Sequence, residues 1–407
     1  MSQKVEILRK ALSIYREKMI LMFPNFYRAT VRPKIALVTS GLGTTHGGIG
    51  VVADLIGSAL EEDSALSVWE HHAFWPRFAR IPAAVGRAFW GSLKTPDFVL
   101  YDHVDLAILH AIIRRLRPIP YAVFLHGIEV WKPIVGRRRE ALLGANLLLV
   151  NSVTTENETR AFNPWLPEVE VTWLGVERQN EIVNVGANPP VGLIVGRMAD
   201  SERLKGHDSV MDAWPLIKSA VPDAKLIIVG TGNDKHRLEN RVKTEQLTGI
   251  EFRGWIDDVQ RDQMYRSCRM LFYPSKQEGF GLAGVEAASF GVPVLGLAGT
   301  VTEELFPPGT GAVVAKDLSR QSIAEAAIPL MRSAQHAQAL GSAAAARVNA
   351  VFLKQHFAGR LRRALAPQLS VCVELKDVPH ADLRKRNVSV HTQVAAKKSR
   401  HSPLGPT

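Results

Sequence analysis

The sequence predicts an α/β protein made of two doubly wound halves, each a parallel sheet covered by helices on both faces. Three observations carry this. Short, continuous apolar runs alternate with helical segments, the pattern of strands buried on both sides. The alternation occurs twice, on either side of a polar, proline-terminated stretch at residues 179–190. Glycine-rich loops follow strands where helices begin, as in open sheets that bind ligands at their carboxyl edges. A chain of 407 residues, 46% of them hydrophobic, can bury such cores without disulfide or metal staples. This composition excludes wholly disordered, collagen-like and disulfide-scaffold proteins. The two cysteines, Cys268 and Cys372, lack metal-ligand spacing and fit a reduced, cytoplasmic chain.

The elements follow in order. Residues 4–23 read as a basic amphipathic helix with Val5, Leu8, Leu12, Tyr15, Met19 and Met22 on one face, ended by Pro24. Such a helix either docks on the body or lies on anionic lipid. The N-terminus has no signal-peptide core. The uncharged run at 35–53 carries five glycines and is too polar to span a membrane. In the first half the strands are Ile35-Ala-Leu-Val-Thr39, Phe98-Val-Leu-Tyr101, Tyr121-Ala-Val-Phe-Leu125 and Leu147-Leu-Leu-Val150, and residues 51–60 read as a helix after the glycine loop at 41–50. In the second half they are Gly192-Leu-Ile-Val195, Ala224-Lys-Leu-Ile-Ile-Val229, Glu251-Phe252, Met270-Leu-Phe-Tyr273 and Val292-Pro-Val-Leu-Gly296. A long alanine-rich helical stretch runs from about Ser322 to Ala364, and Val371-Cys-Val-Glu-Leu375 reads as strand-like before a disordered, basic tail.

The net charge of +11 is unevenly placed. Residues 1–34 hold eight basic groups against Glu6 and Glu17, and residues 371–407 hold seven against three acids. The stretch between them is therefore near neutral, at +1. With no interleaving of aromatic and basic residues and a neutral body, support for nucleic acid is poor and it is not expected as a partner. The basic ends suit an anionic membrane surface instead.

The residues suited to chemistry lie in the second half. Glu278-Gly-Phe-Gly-Leu-Ala-Gly-Val-Glu286 follows a buried strand and enters a helix. Unpaired N–H groups at such a helix start form an anion site, and Gly279 and Gly281 allow close approach to the backbone. Glu286 lies inside the helix, where a carboxylate can take paired hydroxyls such as a ribose diol. Val195-Gly-Arg197 ends the first strand of this half and Lys205-Gly-His207 follows, placing two cations at the carboxyl edge in a combination that suits a diphosphate. Taken singly, each of these charges is a solvated surface residue; their combination argues for a site.

On these residues the sequence resembles the family 4 glycosyltransferases, retaining enzymes of GT-B architecture. The resemblance rests on Val195-Gly-Arg-Met198 with Lys205-Gly-His207, Leu226-Ile-Ile-Val-Gly-Thr-Gly232, Phe252-Arg-Gly-Trp255 before Val259, and the two glutamates eight positions apart with Gly291-Val-Pro-Val294 behind them. Weaker matches are Gly47-Gly-Ile-Gly50, His126-Gly-Ile-Glu129, Val150-Asn-Ser152 and the run at Gly311, so the resemblance covers roughly residues 34–365. It implies two Rossmann-like domains facing a central cleft: an acceptor-side domain at 34–178, a linker at 179–190, and a nucleotide-sugar domain with closing helices at 191–366, flanked by extensions at 1–33 and 367–407.

The resemblance also implies roles. Arg197 and Lys205 would hold the donor diphosphate, with Gly48 closing on it, and Glu286 would bind the ribose. Glu278 and the amides of Gly279, Phe280, Gly281 and Leu282 would face the sugar and its phosphates. His126 would contact the donor sugar, and the segment from Phe252 to Trp255 would lie near the base. The reaction would move a hexose from a nucleoside diphosphate sugar to a glycan or lipid-linked acceptor, in polysaccharide or glycoconjugate synthesis. It needs no cofactor and no metal, because protein cations would meet the developing diphosphate charge. Whether Glu303 or Glu304 faces the donor is left open by the loop Gly299-Thr-Val-Thr-Glu-Glu304.

Two rivals remain. Gly41-Leu-Gly43-Thr-Thr-His-Gly47, with Glu61, Glu62 and Asp63 downstream, approximates a dinucleotide fingerprint and an NAD(P)-dependent oxidoreductase. A GT-B nucleotide-sugar epimerase, or a binding module without catalysis, would use the same donor residues.

Overall fold

The computed structural model describes residues 32–43, 47–70, 96–108, 110, 119–179 and 181–376. The helix expected over 4–23 and the tail beyond residue 376 lie outside them. The first half runs β1 (Lys34–Thr39), α1 (Gly47–Glu61), β2 (Ala65–Glu70), β3 (Phe98–Tyr101), α2 (Val104–Ala107), β4 (Tyr121–Leu125), α3 (Gly136–Leu143), β5 (Leu147–Val150), α4 (Val153–Phe162) and β6 (Val169–Val171). Its strands form one parallel sheet ordered β2-β1-β3-β4-β5-β6. The second half runs β7 (Val191–Val195), α5 (His207–Ala220), β8 (Lys225–Val229), α6 (Lys235–Thr244), β9 (Ile250–Gly254), α7 (Asp258–Ser267), β10 (Met270–Phe272), α8 (Leu282–Ser289), β11 (Val294–Leu297), α9 (Val301–Leu305) and β12 (Ala312–Ala315). These strands form a second parallel sheet, ordered β12-β11-β10-β7-β8-β9. Three helices close the fold: α10 (Arg320–Arg332), α11 (Ala334–Val351) and α12 (Lys354–Lys376).

The expected central strands are all present. The edge strands β2, β6 and β12 were not expected; an edge needs no continuous apolar run, and every residue of β2 keeps some exposure. The single alanine-rich helix is three. Ser333 ends α10 and its Oγ accepts from the His336 amide at the start of α11 (3.1 Å). The strand-like run at 371–375 is the end of α12, which continues past Pro367; a short apolar run does not distinguish a strand from a helix.

Successive residues of each strand face opposite sides of the sheet, and in the first sheet the two faces belong to different cores. Ala36, Val38, Val99, Tyr101 and Val123 pack in a core of their own. Ile35, Leu37, Phe98, Leu100 and Phe124 join a core that is continuous with the whole second half. The last helix joins the two. Leu361 and Leu365 are fully buried, and α12 packs along α1. Arg362 donates to the Ala59 carbonyl (2.8 Å) and pairs with Glu62 (2.5 Å) and Asp63 (3.0 Å). The expected linker is also engaged: Val185 is buried in a short 3₁₀ turn that packs on α11.

A carboxylate fastens the halves to each other. Glu304 of α9 accepts from the amides of Val153 and Thr154 (both 2.8 Å), from the Thr154 hydroxyl (2.7 Å) and from the Trp173 indole (2.6 Å). It therefore caps the N-terminus of α4, where an anion is favoured by the unpaired amides and the helix dipole. Glu303 accepts only from the Gly299 amide (2.6 Å) and is exposed. Within the first half, Asp102 follows β3 and is fully buried. The Thr39 hydroxyl lies 2.5 Å from Asp102 Oδ2 and 3.0 Å from the Gly41 carbonyl. The hydroxyl has one proton to share between these two acceptors, and its oxygen accepts from the Gly41 amide (3.1 Å). Burial pushes this carboxyl up to about 7, against the opposing pull of Thr39 and the Ser40 backbone.

Two outcomes are expected. Glu304→Ala should cost about 1.5–3 kcal/mol in urea unfolding, the range for hydrogen bonds to a charged group, and Glu303→Ala distinctly less; equal losses would contradict the cap. For Asp102, the unfolded chain releases its proton near pH 4 while the folded chain holds it to about 7. Stability should therefore fall as pH rises through that window, by at most about 4 kcal/mol at 1.36 kcal/mol per pH unit. Asp102→Asn, which cannot ionise in the buried position, should flatten that slope and exceed the wild type in urea midpoint at pH 8. Parallel pH profiles for the two proteins would refute the assignment.

Candidate functional site

In each sheet the winding direction reverses, between β1 and β3 in the first and between β7 and β10 in the second. Ligands of open α/β sheets collect outside the carboxyl ends of the strands at such points. Arg197 stands just past the end of β7 with its side chain 68% exposed. A 3₁₀ segment, Asp200–Lys205, then returns Lys205 to the same edge. Between them lies Glu202, which pairs with Arg197 and with Lys205 Nζ (3.0 Å). Sequence reasoning passed over Glu202, although its spacing of three from Lys205 was an available signal.

The loop after β10 meets this segment. The Lys276 amide donates to the Leu204 carbonyl (2.8 Å). Gly206, at φ +87°, packs so closely on Pro274 that a side chain there would clash. The loop ends at Gly281, φ +89°, the N-cap of α8, where no side chain caps the helix. The Gly284 amide is bonded to the Gly281 carbonyl (3.0 Å), and the Leu282 and Ala283 amides before it face outward from the helix start, where an anion is favoured. The Tyr273 hydroxyl, its pKa held well above the ordinary value by burial, donates to Glu278. Phe280 is buried edge-on to Phe352 (5.9 Å), so only its main chain can serve a ligand.

Glu286, in the second turn of α8, faces α7. The Tyr265 hydroxyl donates to its Oε2 (3.2 Å), with Arg261 Nε 3.7 Å from the same oxygen. Burial raises the carboxyl pKa and Arg261 counters it. Both contacts fall on one oxygen, which leaves the other for ligand hydroxyls. Tyr265 and Arg261 had no signal in the sequence, since their roles depend on how α7 docks against α8. Beyond the edge strand β9, Trp255 is 72% exposed.

In the first half, His126 follows β4. Its Nε2 donates to the Asp102 carbonyl, which fixes the tautomer. Glu129 accepts from the amides of His126 (2.6 Å) and Gly127 (3.2 Å). Burial lowers the imidazole pKa, opposed by Glu129, so the ring is neutral at pH 7. Gly48 is exposed in the first turn of α1, with open space where a side chain would begin.

The halves meet backbone to backbone. The Gly279 carbonyl accepts from the hydroxyls of Ser152 (2.5 Å) and Thr155 (3.1 Å). Asn151 donates to the His126 carbonyl (2.7 Å), and any side chain at Gly279 would collide with that carbonyl. The structure thus joins the loop at 278–282 to His126 through Gly279, and joins the loop after β10 to the segment that carries Lys205 through Lys276 and Gly206; nothing lies within 4 Å of where a side chain at Gly48 would begin among the described residues. Glu304 is taken up by α4 and Trp173 and is unavailable to a ligand. The acids at 61–63 lie before β2, at the wrong end of the sheet for a dinucleotide ribose, and Glu62 and Asp63 pair with Arg362, which disfavours the oxidoreductase.

Residues 176–347 match the family described as glycosyl transferases group 1. Among curated relatives, the GDP-mannose-dependent monoacylated alpha-(1-6)-phosphatidylinositol monomannoside mannosyltransferase of Corynebacterium glutamicum is 30% identical over 169 residues, covering 40% of this chain and 44% of that protein. The poly(glycerol-phosphate) alpha-glucosyltransferase of Bacillus subtilis is 27% identical over 158 residues, 37% of this chain and 22% of its own. The chain thus spans less than half the length of these relatives. Among solved structures, the sucrose-phosphate synthase of Thermosynechococcus elongatus superposes with a TM-score of 0.70 at 19% identity, covering 84% of this chain and 100% of that one. Anabaena HepE, solved in complex with UDP and glucose, gives 0.66 at 17% identity, covering 83% and 100%. At these identities the superpositions speak to the fold alone. Its second half thus resembles the group 1 glycosyl transferases over residues 176–347, and its two halves together carry the GT-B fold.

Proposed function

We propose that the protein is a retaining glycosyltransferase that moves a hexose from a nucleoside diphosphate sugar to a glycan or lipid-linked acceptor. The observation that carries this is the grouping of Arg197, Lys205 and the uncapped start of α8 at the reversal point of the second sheet. A diphosphate placed there meets two cations and the positive end of a helix. Glu286 takes the ribose hydroxyls, a role supported by its bond from the Tyr265 hydroxyl, which leaves one carboxylate oxygen without that partner. The base lies toward Trp255. The presence of UDP and glucose in the HepE complex supports a donor of this class.

The chemistry follows from where charge develops. As the bond between the anomeric carbon and the diphosphate oxygen breaks, its electron pair leaves with the diphosphate. Arg197, Lys205 and the α8 amides stabilise that charge more in the transition state than in the bound donor. The acceptor hydroxyl attacks from the face the diphosphate leaves and gives its proton to the departing phosphate oxygen. No protein nucleophile is assigned. Neutral His126 and Glu278 border the sugar, each fixed by a partner, Asp102 and Tyr273 respectively. Donor groups come from both halves, so closure and product release gate turnover. The basic ends hold the enzyme at the cytoplasmic face of an anionic membrane.

The reading is tested by thermal shift with UDP, GDP, ADP and dTDP and their sugars. A ligand at a hundred times its Kd should add about 2.7 kcal/mol of stability, and stabilisation by NAD(P)H alone would restore the oxidoreductase. Arg197→Ala should lower kcat/KM for the donor about 10²-fold or more. Glu286→Ala should lower it about tenfold to a hundredfold, both with unchanged circular dichroism. Near-normal turnover in either variant would overturn the site, and release of a free sugar epimer without an acceptor would favour the epimerase.

A further inference from the structure

The two cations of the diphosphate site are not free in the absence of donor. The Glu202 carboxylate spans them, one oxygen on Arg197 and the other 3.0 Å from Lys205 Nζ. Glu202 is the most sheltered of the three: its side chain is 15% exposed, against 27% for Lys205 and 68% for Arg197. Its backbone is held on every side. The Glu202 amide donates to the Ala199 carbonyl (2.9 Å), the Asp200 amide to Asn233 Oδ1 (3.0 Å), and Arg203 binds Asp234 (2.9 Å). Leu204 and Gly206 abut the loop after β10. At Glu202 itself the chain leaves helical geometry, at φ −123° and ψ 26°. A fixed carboxylate therefore sits where a diphosphate must approach, and the local charge of the trio is +1 instead of +2.

We infer that Glu202 is a built-in counter-anion of the diphosphate site, a positioning residue that holds Arg197 and Lys205 in register and limits how tightly the site retains the released nucleoside diphosphate. This rests on the reading above. Its physical basis is the difference in charge between donor and product. A nucleoside diphosphate sugar carries two negative charges; the released nucleoside diphosphate carries a third at neutral pH. Repulsion from a fixed carboxylate grows with ligand charge, so Glu202 weakens the product complex more than the donor complex. It also keeps the two cations from splaying into solvent when the site is empty, so less ordering remains to be done on binding.

The test uses the nucleoside diphosphate, among UDP, GDP, ADP and dTDP, that stabilises the wild type most. Its Kd and that of its sugar are measured by calorimetry for the wild type, E202Q and E202A, together with kcat and KM. Neutralising Glu202 should tighten nucleoside diphosphate binding about tenfold, equivalent to about 1.4 kcal/mol, and tighten the nucleotide sugar less. KM should fall, and kcat should fall with it as product release slows. Unchanged or weaker nucleoside diphosphate binding in both variants, with Arg197→Ala still abolishing it, overturns this inference and leaves the functional reading standing. Failure of the wild type to bind any of the four nucleotides removes both. If E202Q does not fold, E202A reads the same ratio of product to donor affinity.

Discussion

The site depends on one close approach, that of the Gly279 main chain to the carbonyl of His126. A side chain at Gly279 would occupy the same space as that oxygen, and the Gly279 carbonyl is held in turn by Ser152 and Thr155 from the first half. The loop that carries Glu278 and leads into α8 is thereby shaped by residues of the other half. The Glu304 cap on α4 works on the same helix from its outer side. The N-terminal end of α4 is thus gripped twice by the second half, once by a backbone carbonyl and once by a carboxylate. Domain position and loop conformation are set by the same few hydrogen bonds.

Much of this was readable from residue types. Continuous apolar runs located the buried strands because both faces of each sheet are covered, and glycine before a helix located the uncapped start of α8. What escaped the sequence has a common physical cause. Tyr265, Arg261 and Tyr273 matter through side chains that reach across from other elements, and no periodicity records such a reach. Asp102 looked like one acid among many; its altered protonation arises from complete burial beside Thr39. The choice between Glu303 and Glu304 could not be made from a five-residue helix, since it depends on which side of α9 faces the first half. The strand read at 371–375 failed because its apolar run is too short to carry a period.

The electrostatics of the body are local. The stretch between the basic ends is near neutral, and a group of its cations is committed to ion pairs: Arg203, Arg237 and Arg241 pair with Asp208, Asp212 and Asp234 on the flank of the second sheet. On the proposed reading, attraction for a diphosphate would therefore come from a small, oriented group of charges and amides, not from a broad positive field. Such a site discriminates by geometry, because a phosphate displaced by a few ångströms loses the helix terminus and the cation pair together.

The return of α12 to α1 bears on how the chain is made. Arg362 and its partner Glu62 are 300 residues apart in the sequence. At synthesis rates of about 5–20 residues per second, α1 waits roughly 15–60 s for the helix that covers it. During that interval the sheet face bearing Ile35, Leu37 and Phe98 belongs to a core whose last members, on α12, have not been translated. The first half cannot complete its packing as it emerges. Its folding is finished from the far end of the chain, and the nascent protein passes through a stage in which an apolar surface of the first half must be kept from other chains.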